Sequence, residues 1–157
     1  MTDITWTDKA IGGGSGTGEV SDDDMNEIKT AVNSKSDKQP SRLELTTDTS
    51  ITATQLLDNE FITNQGASGE IDITLPAVSY SIARNIVVEE TQVIEVNPPS
   101  GEAFMFNGTL LDANDVIDSP AIVGCAAVVV RQKNASGTWL YNLISVLGTW
   151  VDSGASD

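Results

Sequence analysis

Carboxylates are the reactive groups this chain carries in number: 23 Asp and Glu stand against 8 Lys and Arg, and there is no histidine. Without imidazole the commonest general base, the usual zinc ligand and every serine–histidine arrangement are missing. The run Asp112-Ala113-Asn114-Asp115-Val116-Ile117-Asp118 has the spacing of oxygen ligands to a cation, but lacks the glycine and distal glutamate of an EF-hand loop. It therefore reads as a solvated loop rather than a metal site. A glycosidase would need two converging carboxylates, and no pair is singled out among 23. The glycines from Gly12 to Gly18 are followed by acids, not by Gly-Lys-Ser/Thr, so they do not make a phosphate loop. Cys125 is a single cysteine in the apolar stretch 121–130 and reads as a buried, inert thiol. No catalytic residue, metal or cofactor is expected, and the chain reads as a non-enzyme.

The charge is uneven. Residues 1–42 hold 8 acids and 5 bases, and residues 43–157 hold 15 acids and 3 bases, which splits the net −15 into −3 and −12. Such a surface repels nucleic-acid phosphates and opposes loose self-association. No apolar run approaches the roughly 20 residues needed to cross a bilayer, and Met1-Thr2-Asp3-Ile4-Thr5 has neither region of a secretion signal.

Three stretches must position whatever the chain does: an arm over residues 1–20, a short helix and linker over 21–41, and a β-rich body over 42–157. The arm is too polar and glycine-rich to fold alone, yet carries Ile4, Trp6 and Ile11, which are expected to bind a partner. The helix starts at Ser21, a good N-cap, followed by Asp22, Asp23 and Asp24 at the positive end of its dipole. Met25, Ile28 and Val32 form one narrow apolar stripe. A helix of about 14 residues is marginal alone, so the stripe must pack, either on its own domain's sheet or in a bundle about a threefold axis. The bundle is preferred.

Beyond Leu43 the pattern alternates. Ile71, Ile73 and Leu75 face a core while Glu70, Asp72 and Thr74 face water. Asn107-Gly108 is a two-residue hairpin signal, and Lys133-Asn134-Ala135-Ser136-Gly137 reads as a longer hairpin loop. Asn107-Gly108-Thr109 and Asn134-Ala135-Ser136 also match glycosylation sequons, for which the turn reading suffices. Seven to nine short strands predict a mainly β fold, an antiparallel sandwich or barrel-like body. The run Ala126-Ala127-Val128-Val129-Val130 is apolar on both faces, so both should be covered. The C-terminal stretch 146–151 either folds back as a last strand or lies on a neighbouring subunit. Val129 and Trp150 join Met25, Ile28 and Val32 as the expected trimer interface.

The segment Asp24-Met25-Asn26-Glu27-Ile28-Lys29-Thr30-Ala31-Val32-Asn33, the stretch 61–77 and the ending Leu147-Gly148-Thr149-Trp150-Val151-Asp152 resemble parts of the fibre, head-fibre and capsid-decoration proteins of tailed bacteriophages. Together they cover about a third of the chain. The resemblance implies a homotrimeric virion component, made in the bacterial cytoplasm and anchored to a capsid or tail protein by its N-terminal arm. The head surface is favoured, because no large receptor-binding domain follows the β body. A tail fibre or fibre adaptor is the alternative. A carbohydrate-binding module is a further alternative, with Trp139, Tyr141 or Trp150 as platforms for a host-surface glycan. An exposed aromatic row would favour that last reading.

Overall fold

The computed structural model describes residues 40–155, together with Asn26. Residues 1–39 and 40–157 separate as two units, and the second is the β body.

Its strands are β1 (Arg42–Glu44), β2 (Thr49–Ser50), β3 (Phe61–Thr63), β4 (Ile71–Thr74), β5 (Ile82–Val87) and β6 (Ile94–Asn97), then β7 (Ala103–Phe106), β8 (Thr109–Ala113), β9 (Asp115–Asp118), β10 (Ala126–Lys133), β11 (Trp139–Leu147) and β12 (Val151–Ala155). One helix, α1 (Ala53–Asp58), lies between β2 and β3. Its start is fixed by a reciprocal capping box: Gln55 N–H donates to Thr52 Oγ1 (3.1 Å) and Thr52 N–H donates to Gln55 Oε1 (2.9 Å). Leu56 is its one buried residue.

The strands form a seven-stranded sheet, β1-β3-β5-β10-β11-β7-β8, and a five-stranded sheet, β12-β9-β6-β4-β2. Both are mixed, where an antiparallel body was expected. From β1 to β6 successive strands alternate between the two sheets, β1, β3 and β5 joining the larger and β2, β4 and β6 the smaller. Strands within each sheet are consequently parallel, β1 with β3 and β3 with β5, β2 with β4 and β4 with β6. This half is a coil of three turns. Parallel neighbours need a crossover, and here the strand in the opposite sheet supplies it. Period-two alternation is the same for parallel and antiparallel pairs, which is why the pattern alone did not separate them.

The later strands close the coil. β10 pairs antiparallel with β5, and β9 antiparallel with β6. Asn107 and Gly108 turn the β7–β8 hairpin with φ of 47° and 90°, the paired left-handed geometry that an Asn-Gly dipeptide favours. Residues 112–118 are not a loop. They run through the end of β8 and all of β9, with a sharp corner at Asn114 (φ 68°). The C-terminal stretch folds back on its own chain as β12, antiparallel to β9.

Between the sheets lies one core. Ile62, Ile86, Ala127 and Leu143 come from the larger sheet, and Ile71, Ile73, Ile94, Val96 and Ile117 from the smaller; all are 0–1% exposed. Each such Ile or Leu stabilises the fold by about 1.5–3 kcal/mol. At the corner between turns of the coil, Asn64 is fully buried. Its Oδ1 accepts from Glu89 N–H (2.7 Å) and Glu90 N–H (3.1 Å), and its Nδ2 donates to Gln92 O (3.0 Å).

Candidate functional site

With alternate residues spent on the core, the remainder form two outer faces of opposite character. On the five-stranded sheet, register sets Asp72 beside Glu95 and Glu95 beside Asp118, a row of three carboxylates across β4, β6 and β9. Carboxylate oxygens of Glu70, Asp72 and Glu95 lie within 4.8 Å of one another. Burial, and then the charges of Asp48 and Asp118, push the Asp72 carboxyl above its usual range. Glu95 is also raised, first by burial and further by Asp72, Asp118 and Glu70, against the lowering effect of a hydrogen bond from Asn97 Nδ2 (3.1 Å). One oxygen of Asp118 is buried without a hydrogen-bond partner among the described residues. Among the described residues Glu70, Asp72 and Glu95 are the group spaced to share a hard cation through oxygen ligands.

The outer face of the seven-stranded sheet carries none of this charge at its centre. Tyr141 and Leu143 of β11 point into the core, as do Ala127 and Val129 of β10 and Phe104 of β7. Alternation therefore turns Asn142, Ile144, Val128, Val130 and Met105 outward. Register aligns Ala83, Val130, Asn142, Met105 and Leu110 in one row across five strands. A second row runs through Asn85, Val128 and Ile144. Leu110 is 62% exposed and Ile144 41%. Asn142 Oδ1, at the middle of the first row, is buried without a hydrogen-bond partner among the described residues. Charge returns at the β1 edge, where Arg42 pairs with Glu89 and Glu44.

Val129 and Trp150, expected at a subunit interface, fill the core of their own chain, at 1% and 3% exposure. Trp150 Nε1 donates to Leu147 O (3.2 Å). The apolar character of residues 126–130 on both faces is real, but its outward half is Val128 and Val130, each half-buried. Ile4, Trp6, Ile11, Met25, Ile28 and Val32 lie outside the described residues. Among the candidate sugar platforms, Tyr141 is buried and its hydroxyl donates to Pro76 O (2.7 Å), while Trp139 is half-buried with Lys133 Nζ 5.2 Å from its ring centre. These three aromatics do not form an exposed row. Cys125 is buried and free. Of the acids in 112–118, Asp115 Oδ2 accepts from Asp112 N–H (3.0 Å), which holds the corner at Asn114.

Sequence reasoning placed Glu70 and Asp72 in water but did not connect them with Glu95, since that requires knowing that β4 and β6 are neighbours. Asn142, Met105 and Leu110 carried no signal as a group for the same reason. No helix among the described residues is long and apolar enough to cross a membrane.

Comparison with protein-family models, with curated proteins and with solved structures finds no match to this chain.

Proposed function

We propose that this protein is a non-enzymatic structural component of a tailed-phage particle: a short homotrimeric appendage, on the head surface in preference to the tail, attached by its N-terminal segment. The observation that carries the reading is the division of the body into an acidic outer face and one that is uncharged and largely apolar at its centre. A molecule built to be displayed in many copies benefits from a face that holds its own subunits together and another that repels its neighbours. The likeness of residues 24–33, 61–77 and 147–152 to phage appendage proteins supports the same reading.

Attachment works by avidity. Three N-terminal segments on one trimer raise the local concentration of each contact, so individually weak contacts hold. Ile4, Trp6 and Ile11 are the side chains assigned to that contact.

Deletion of residues 1–18 tests the reading. The truncated chain is expected to keep its β circular dichroism and to be lost from purified particles. Normal incorporation would show that attachment lies elsewhere and would remove the role given to this segment.

A further inference from the structure

We infer that the outer face of the seven-stranded sheet is where copies of this chain meet, with Asn142 close to the symmetry axis. The inference rests on the self-assembling part of the reading above and supplies its surface.

Two independent observations identify the occupant as a second copy. The first is charge. The body holds 15 acids and 4 bases, so two copies approaching on most orientations bring carboxylates together. Around Val128, Val130, Asn142, Ile144 and Met105 no side chain of the row is charged, and like bodies can touch there without that repulsion. A basic partner would find its complement on the opposite face, along Asp72, Glu95 and Asp118. An anionic lipid surface would be repelled by the chain as a whole.

The second is the amide of Asn142. Its oxygen is buried and has no donor among the described residues. The terminal torsion of Asn is soft, and a quarter-turn about it sets oxygen and nitrogen side by side at the surface. An amide carries a donor and an acceptor, so identical amides around an axis satisfy one another in a closed ring, each nitrogen donating to the next oxygen. A lone Asn in an otherwise apolar contact is a recognised device for fixing register and copy number. Leu110 and Ile144, both exposed, supply apolar area on either side.

The test uses the full chain. Asn142→Cys, oxidised under mild conditions, is expected to give a chain-to-chain disulfide on a non-reducing gel. The unaltered chain, whose Cys125 is buried, should give none, and neither should Thr74→Cys on the opposite sheet. Ile144→Glu should convert the oligomer to monomer in light scattering with its circular dichroism unchanged. Association of the unaltered chain should tighten as salt is raised from about 0.01 M to about 1 M, because screening removes like-charge repulsion. An oligomer that survives Ile144→Glu and leaves Asn142→Cys unlinked overturns the inference while leaving the appendage reading intact. A monomeric unaltered chain overturns it too, and if Ile144→Glu then lowers the melting temperature, the face is covered from within its own chain. Particle incorporation of the 1–18 deletion decides the virion reading separately in every case.

Discussion

Arg131 is buried against Glu102, with both terminal guanidinium nitrogens on the carboxylate, one of them at 3.0 Å. Its Nε donates to Val78 O (3.0 Å), and its Cζ lies over the Tyr141 ring, 4.6 Å from the ring centre. Every donor face of the guanidinium that matters here has an acceptor, which is what allows a cation to be 2% exposed. Removing one partner is therefore unequal to removing the other. Glu102→Ala leaves a buried, uncompensated cation and should cost about 3 kcal/mol. Arg131→Met keeps the apolar stem and leaves Glu102, whose side chain is 27% exposed, free to turn to water; it should cost about 1–2 kcal/mol. Urea denaturation at neutral pH reads the order, and Arg131→Met proving the more damaging would refute it.

Gly148 has φ of 82°, and a methyl group there would run into Cys125 Sγ and lie 2.9 Å from Pro120 Cγ. Gly148→Ala should cost about 3 kcal/mol or more, from overpacking plus left-handed backbone strain. Gly108 is also left-handed, at φ 90°, but a Cβ there meets nothing within 4 Å. Gly108→Ala should cost about 1–2 kcal/mol. Thermal melts of the pair separate collision from backbone strain, and equal losses would mean that Cys125 and Pro120 simply move aside.

Asn64→Ala should destabilise the body by about 3 kcal/mol. It strands the amides of Glu89 and Glu90 and the carbonyl of Gln92, at a site with no water-accessible surface. Asn64→Asp keeps the acceptor and loses the donor, and should recover part of the loss only at low pH. Amide hydrogen exchange at Glu89 and Glu90 is the direct measurement; unchanged protection in Asn64→Ala would contradict the assignment.

Asp72 and Glu95 set a sign for pH dependence. Both carboxyls are raised in the fold above ordinary values of 3.8 and 4.5, so the folded state holds more protons than the unfolded one between those values and the raised ones. Stability from these groups is therefore lost as pH rises through that window and is regained as pH falls from neutral. Asp72→Asn should raise the melting temperature at pH 7, by the equivalent of about 0.2–1 kcal/mol for relieving like charges across strands. Near pH 4 the gain should shrink. A variant less stable than the parent at pH 7 would show that the carboxylate is a needed ligand or hydrogen-bond acceptor instead.

What could be read from residues alone follows the range of the interaction. Ile71 and Ile73 facing inward, the Asn107-Gly108 turn and the loop from Asn134 to Gly137 are local consequences of pleat and turn chemistry and stand in the structure as expected, while Lys133 is the last residue of β10. Mainly β architecture followed from the same patterns. Pairing did not: Glu95 beside Asp72, or Met105 beside Asn142, joins segments whose neighbourhood only the assembled sheets decide. Asn64 has the composition of a loop residue, and nothing in its flanks signals that three backbone groups depend on it. Asp112 to Asp118 reads as a loop because three acids and an asparagine are spread through seven residues, although Val116 and Ile117 are buried strand positions.

The order in which strands join has a consequence for the chain as it leaves the ribosome. β1 through β6 can wind their coil early, yet β5 keeps one open edge until β10 has been translated, and β6 waits likewise for β9. For that interval the nascent polypeptide holds two unpaired strand flanks, each a template for pairing with the wrong chain. Closure then depends on contacts distant in sequence, which slows folding. Polysomes carrying many copies of this message would concentrate such half-built coils side by side. The short β5 and β6, at six and four residues, limit how much edge is exposed while they wait.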